Sequence, residues 1–520
     1  MGQTWEELLT KRVFAFTEGH ELDRSALTAL LGGKGYSLWL MAASLGLPVP
    51  PGFTIATTAS VSGVVGAALG AEVRAALDVV EAKIGRQFGD PVAPLLVSVR
   101  SGAAQSMPGM MDTLLNVGMT PVNTRALAEQ TGDARFAWDS YRRFLCAFGT
   151  LVQGRKVKDE CAALMAMDDA EAACEKLRAY IDDPRIDDPW QQLLAATETV
   201  FASWNSPRAI SYRNKVGLPH DGGTAVNIQA MVFGNLDGNS GTGVAFTRDP
   251  STGAPQRTGD FLFRAQGDDV VSGDSRTQTL EDFRAEMPEA YAALEDAMVR
   301  LEEHYRDMCD VEFTVEAGRL WLLQARVGKR SPAAAPRIAV DLVNEGRIGL
   351  THAEALARIE PDLLAGGSTT GRASGAGEPI GKGLAVSPGV ATGQIAFDPD
   401  RALEMAEDGL DVILVRHETS PEDVHGMGVA KGILTTLGGM MSHAAVVARA
   451  WGIPAVCSME DVTLDADALH CAGKTYREGD VLSLDGQTGL VFAGEVTSEI
   501  EHDAYLTTLR EWAGEVRQAT

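Results

Sequence analysis

Residues 432–457 read GILTTLGGMMSHAAVVARAWGIPAVC. A β-rich run ends at the pair Gly438–Gly439, Ser442 is placed to cap a helix that begins near His443, and that helix runs through AAVVARA to Gly452. His443 therefore falls at a helix N-terminus, where free backbone N–H groups and the helix dipole favour an anion. A phosphate carried on this imidazole would be stabilised in place. The dipole would also lower the imidazole pKa and leave a neutral, nucleophilic nitrogen near neutral pH. A lone histidine at a helix start is more often a structural cap; the glycine turn and the residues around it favour chemistry.

A second group lies upstream, in DMCDVEFTVEAGRLWLLQARVGKR (307–330). Asp310 and Glu312 alternate on a strand, so their side chains share one face, and Gln324 and Arg326 do the same on the partner strand. Oxygen ligands of this kind suit Mg²⁺, which bridges the phosphates of ATP. Lys34 sits in a Gly-Gly-Lys-Gly run that reads as a loop able to approach phosphates and present an ammonium. Ser240, Gly241, Thr242 and Gly243 read as a glycine-rich loop that could fold over nucleotide phosphates, with a plain hairpin turn as the alternative.

These residues need a scaffold. Val13–Phe16, 48–57 and 95–101 read as strands and Tyr36–Leu45 as a helix. Residues 121–205 are mainly helical, with apolar residues three and four apart in Ala137–Val152 and Gln191–Trp204. Strand patterning returns from Gly223 to Gln266, helix over 281–308, and a hairpin over 311–326 turning at Ala317–Gly318. Residues 365–383, rich in Gly, Ser, Thr and Ala, read as a flexible linker. A compact module of short strands and helices follows, and the tail 498–520 is helical and charged. The formal net charge of -26 argues against nucleic acid as a partner. An acidic chain that uses ATP must concentrate its basic residues locally. No apolar run is long enough to span a bilayer, and six cysteines without a CxxC pair read as reduced thiols in a cytoplasmic protein.

TTLGGMMSHAAVVARAWG resembles the phosphohistidine signature of the PEP-utilising enzymes, and VILVRHETSPEDVHGM (412–427) and GDVLSLDGQTGLVFAG (479–494) resemble the segments around it in pyruvate phosphate dikinases. LGGKGYSLWLMAASLGLPVPPGFTIAT (31–57), VSVRSGAAQSMPGMMDTLLNVG (97–118), WDSYRRF (138–144), SWNSPRAISYR (203–213) and GTAVNIQAMVFGN with SGTGVAFTRDPSTG (223–253) are similar to the same family's ATP-grasp domain. The resemblance implies an α/β (α+β) architecture. It has an ATP-grasp nucleotide-binding domain over 1–340 with a helical insertion at about 121–205, then a helical segment and linker over 341–383. A swivelling β/β/α phosphohistidine domain over 384–497 and a helical tail complete it. It implies that His443 is phosphorylated and that Arg100 binds phosphate. Glu312 and Gln324 would be the Mg²⁺ ligands, with Asp310 and Arg326 facing the phosphates being cleaved. Asp268 stands where the family has a glutamate near the nucleotide.

The implied reaction uses MgATP, with inorganic phosphate taking the γ-phosphoryl group, to phosphorylate His443 and release AMP. Pyruvate or another small molecule would then accept the phosphoryl group. The sequence ends near the point where the family's PEP/pyruvate-binding barrel begins, so the acceptor site is expected on a separate subunit or on a part not included in this sequence. Leu437 replaces a basic residue usual before the glycine pair, and Ala104–Gln105 replace a more basic pair. Met441 stands where plant and bacterial dikinases carry a regulatory threonine, so that control is not expected. Two alternatives are a dedicated ATP-dependent phosphotransferase for another small molecule and a nucleotide-sensing, non-catalytic homologue.

Overall fold

The computed structural model describes residues 11–19, 23–105, 107, 111–153, 155–272, 277–366, 371–374, 378–440, 442–500 and 503–519. Contacts divide the chain into two units, one of residues 1–236 with Trp321–Ala325, the other of Asp237–Leu320 with Arg326–Thr520.

In the first unit, strands β1 (Val13–Ala15), β2 (Gly52–Ile55), β3 (Val97–Gly102), β4 (Thr113–Val117) and β5 (Ala225–Ala230) form an antiparallel sheet in the order β1-β2-β5-β3-β4. Helix α1 (Arg24–Trp39) crosses it, capped by Asp23. The expected helix at Tyr36–Leu45 thus starts earlier, and its last turn, Leu40–Ser44, is a π turn. The helical insertion runs from Pro121 to Val216, and its longest helix, Ala134–Gln153, buries Ala137, Tyr141, Phe144, Leu145 and Phe148 at three- and four-residue spacing.

The second unit holds β6 (Gly241–Phe246), β7 (Thr258–Phe263), β8 (Gln278–Thr279), helix α2 (Pro288–Tyr305), the strand β9 (Cys309–Glu316) and the two ends of β10 (Arg319–Val327), whose middle, Trp321–Ala325, belongs to the first. Strand β6 is central, with antiparallel β7 on one side and β9 on the other. The turn between β9 and β10 falls at Ala317 (φ 48°) and Gly318 (φ 79°), where the sequence pattern places it.

An eight-stranded sheet follows, built from β11 (Gly381–Lys382), β12 (Leu384–Ser387), β13 (Val390–Ala396), β14 (Val412–Arg416), β15 (Gly432–Thr435), β16 (Ala455–Cys457), β17 (Val481–Asp485) and β18 (Leu490–Ala493). Its order is β11-β18-β17-β13-β14-β15-β16-β12. The run β13-β14-β15-β16 is parallel. Strand β14 (VILVR) is buried on both faces, as parallel strands are. Ile413 and Val415 enter one core; Val412 and Leu414 enter the other, against Ala444, Ala445 and Ala448 of helix α3 (His443–Trp451). Small alanines let α3 lie close on the sheet, and this contact holds the start of α3 at the sheet's edge.

The segment expected to be a free linker also carries strands. Gly371–Ser374 pairs with Thr497–Ile500, and Gly381–Lys382 pairs with Leu490–Val491. Backbone pairing needs no apolar side chains, so composition alone did not reveal it. The remaining Gly- and Ser-rich positions, 367–370 and 375–377, and Met441 lie outside the described residues.

Candidate functional site

In the first unit, Gly32 has φ 69° and ψ 167° and breaks α1, so Lys34 lies in the first helical turn after the break. This corrects the expected Gly-Gly-Lys-Gly loop: only Gly32 leaves helical geometry. The reason is close packing against the end of β3. A Cβ on Gly32 would fall 1.6 Å from the Gly102 carbonyl oxygen, and Gly33 N donates to Ala103 O at 2.9 Å. Arg100 lies on β3, and its Nη1 donates to the Leu323 carbonyl at 3.4 Å. Ser37 Oγ donates to Ala325 O (2.6 Å) and accepts from Ala325 N (2.9 Å). Gln324, buried, therefore sits between two residues whose backbones are held by Arg100 and Ser37. Lys34, Arg100 and Gln324 are thus brought to one region. Ser37 was not singled out by sequence; its signal was its place in the GGKGYS run.

In the second unit, Asp310 is buried on β9 and accepts from Arg326 Nε on β10 through both oxygens, at 2.9 and 2.8 Å. Burial pushes the Asp310 carboxyl above its usual range, with Arg326 opposing. Burial works against the Arg326 charge, but Asp310 more than offsets it and the guanidinium pKa rises. Glu312 is near enough to act on both, as alternation on β9 requires. Asp268 is the second residue of the short helix Gly267–Ser272, and the expectation for its side chain lies outside the described residues.

Ser240–Gly243 require a correction. Gly241–Gly243 are not a loop but the start of β6, paired on both sides. The Ser240 hydroxyl donates to Asp237 (2.6 Å) and accepts from Ala317 N (2.9 Å), and Thr242 Oγ1 donates to Phe313 O (3.1 Å). The glycines are small because aromatic rings cross them: a Cβ on Gly241 would fall 2.2 Å from the Phe261 ring, and one on Gly243 would fall 2.7 Å from the Phe313 ring. These four residues are committed to the sheet and present no loop to a nucleotide.

The phosphohistidine candidate agrees with its local pattern. Helix α3 begins at His443, Ser442 Oγ accepts from Ala445 N at 3.4 Å, and Gly452 (φ 67°) ends the helix. The imidazole is half-buried, and its Nδ1 lies 3.0 Å from Thr419 Oγ1. Burial lowers the His443 pKa, with Asp423 and Glu422 pulling it back up. Thr419 was not singled out, although it lies in the HETSPED stretch whose resemblance was noted. Replacing Thr419 with valine is expected to slow phosphorylation of His443 by about fivefold, the worth of one hydrogen bond of about 1 kcal/mol, while Thr419→Ser keeps most of the rate. Rapid-quench measurement of single-turnover rates checks this.

Further contacts surround the loop before His443. Gly439 rests on the buried Asp260 carboxylate, where a Cβ would fall within 2.4–2.7 Å. Arg449, fully buried on α3, donates to Met440 O at 2.6 Å and Val386 O at 3.4 Å, with its guanidinium 5.6 Å from the Phe246 ring centroid. Burial pushes its pKa down to about 10, and Asp260, Asp249 and Asp310 are among the carboxylates that oppose this. The loop that carries His443 is thus tied to α3 by Arg449 and seated on β7 by Asp260.

Among the described residues, no three His, Cys, Asp or Glu side chains gather to hold a metal by themselves. Glu312 and Gln324 are oxygen donors, the ligand type that Mg²⁺ takes.

A family profile described as "Pyruvate phosphate dikinase, AMP/ATP-binding domain" matches residues 61–291 and 285–346, and one described as "PEP-utilising enzyme, mobile domain" matches residues 410–489. The chain is 44% identical to "Pyruvate, phosphate dikinase" of Rhizobium meliloti (strain 1021), over 98% of this chain and 61% of that protein. It is 43% identical to the protein of the same name from Clostridium symbiosum, over 98% and 61%. It is 45% identical to the chloroplastic protein of Mesembryanthemum crystallinum, over 98% and 56%. The chain spans roughly three fifths of the length of these curated relatives.

Proposed function

The chain belongs to the pyruvate phosphate dikinase family, and from that premise we propose that it is a phosphotransferase whose His443 takes a phosphoryl group from MgATP with release of AMP. The observation that carries this reading is the half-buried His443 imidazole, fixed through Nδ1 by Thr419 at the start of α3. With the proton on Nδ1 and donated to Thr419, Nε2 holds the lone pair that attacks the β-phosphorus. The lowered pKa keeps that nitrogen unprotonated at neutral pH.

Arg326 and Lys34 neutralise charge on the polyphosphate, which is the main demand of phosphoryl transfer. Arg100 contacts phosphate with a planar guanidinium. Asp310 fixes the guanidinium of Arg326 by accepting from Nε through both oxygens. Bound Mg²⁺, held by Glu312 and Gln324, would supply further neutralisation of phosphate charge. The domain ranges proposed from sequence, with the ATP-grasp part over 1–340 and the phosphohistidine part over 384–497, fit the two matched family profiles. Inorganic phosphate takes the γ-phosphoryl group, and pyruvate or another small molecule, held on a separate subunit or another part of the protein, takes the phosphoryl group from His443. Among the described residues no helix is long and apolar enough to cross a membrane, which is compatible with the cytoplasmic placement proposed.

The test is a burst experiment. The protein is mixed with MgATP and inorganic phosphate in the absence of any acceptor. The expected result is about one equivalent of AMP per chain, formed quickly and then stopping. ATP binding without any AMP would overturn the reading and favour a nucleotide sensor.

A further inference from the structure

In the helical insertion only one residue separates the helix Ala134–Gln153 from the helix Arg155–Met165. Gly149 and Val157 show that the second folds back on the first: a Cβ on Gly149 would fall 2.7 Å from Val157 Cγ1. With no side chain at Gly149, the two helices lie close where they meet. Cys146 stands one turn before Gly149, and Cys161 one turn after Val157. The fold-back therefore brings the two cysteines to the same level on facing sides. Thr150, one turn after Cys146, agrees with this register, because its hydroxyl is a hydrogen-bond partner of Cys161. Both cysteines belong to the apolar cluster that fills this part of the chain.

All six cysteines are free thiols, and Cys146 alone is half-buried where the other five are buried. The pair thus joins the most accessible thiol of the chain to a buried one. The hydrogen bond from Cys146 lowers the Cys161 pKa, helped by Thr150 and opposed by burial. Cys161 and burial raise that of Cys146. The proton stays on Cys146 while Cys161 takes the charge, and the thiolate is the reactive form of cysteine. Cys174 is the third thiol in this region. Its Sγ donates to Trp138 O at 3.4 Å, and burial pushes its pKa up to about 12, so it remains a thiol. The phosphotransferase reading uses none of these three residues.

We propose that Cys146 and Cys161, set opposite each other by the fold-back at Gly149, are a site of reversible oxidation that hydroperoxides close to a disulfide. The Cys161 thiolate attacks one peroxide oxygen and the O–O bond breaks. The leaving hydroxide takes the proton that the Cys161 thiol had released, and the first water departs. The sulfenic acid on Cys161 is then attacked by the Cys146 sulfur. An S–S bond forms, the S–O bond breaks, and the departing hydroxide takes the Cys146 proton as the second water. The two thiols together lose two electrons, and the peroxide gains them. A dithiol reductant reverses the change by thiol–disulfide exchange.

The full chain is treated with hydrogen peroxide, its remaining thiols are blocked with N-ethylmaleimide, and its peptides are mapped by mass spectrometry before and after dithiothreitol. The wild type is expected to lose two of its six thiols, with the Cys146 and Cys161 peptides joined, and to recover both on reduction. This measurement needs no variant, so it stands even where a substitution disturbs the fold. Cys146→Ser is expected to stop at a sulfenic acid on Cys161, trapped by dimedone, and Cys161→Ser to form no linkage. Cys174→Ser is expected to link as the wild type does. Circular dichroism checks that the serine variants are folded. Three results would overturn the proposal. One is a linkage through Cys174. Another is sulfinic or sulfonic acid on Cys146 without any linkage. The third is recovery of both thiols as maleimide adducts at peroxide doses that oxidise free glutathione.

Discussion

Arg326→Met is expected to cut phosphorylation of His443 by roughly 10²–10³-fold, the loss usual when one preorganised charge that meets the transition state is removed. The fold should survive. Arg326 Nε donates to both oxygens of Asp310, and removing a partner normally leaves a costly buried charge. Here burial already pushes the Asp310 carboxyl upward, so in the variant it escapes by taking a proton. The sign of the pH dependence follows. A carboxyl whose folded pKa lies above its unfolded value binds more protons in the folded state, so stability falls as pH rises through that interval. The variant should therefore lose most stability relative to wild type above neutral pH and least in mild acid. Urea denaturation across the pH range, beside single-turnover labelling, measures both effects. A variant as active as wild type would remove Arg326 from the chemistry.

Arg248→Met is expected to give the largest loss of stability, about 3–5 kcal/mol. Arg248 is almost fully buried and donates to both oxygens of buried Glu302 (2.9 and 3.0 Å) and both of Glu345 (2.7 Å each). Thr247 Oγ1 also donates to Glu302 at 2.8 Å, and Arg347 pairs with the same carboxylate. Burial opposes the Arg248 charge, but its two carboxylates outweigh that and raise its pKa, and Arg248 in turn lowers that of Glu345. The cluster ties β6, through the residues just after it, to helix α2. Methionine would fill the space but leave Glu302 buried beside Arg347 alone. Equilibrium denaturation in urea checks the loss, and a double variant with Glu302→Gln should recover part of it.

The parts of the site that depend on local pattern were legible in the sequence. Ser442, His443 and Gly452 fix the start and end of α3 by capping rules that need no distant partner. Alternation placed Asp310 with Glu312, and the Ala317–Gly318 turn placed the hairpin. Elements that depend on distant contacts were not legible. Gly241 and Gly243 look like loop residues in sequence, yet they are glycine because Phe261 and Phe313 pass across a central strand. The Gly-Gly-Lys-Gly run looks like a loop, but only Gly32 departs from the helix, because Gly102 presses on it. Thr419 reaches His443 across two strands of the sheet, a pairing that spacing cannot reveal. The strand at Gly371–Ser374 forms through backbone bonds alone and leaves no apolar signature.

The central claim is that His443 carries the phosphoryl group. The protein is incubated with Mg²⁺ and ATP labelled at the β-phosphate, with and without inorganic phosphate, beside a His443→Asn variant. The account predicts acid-labile, base-stable label on the wild type, mapped to the peptide containing His443 and absent from the variant. Label that persists in His443→Asn, or a wild type that binds ATP and takes no label under either condition, would contradict it.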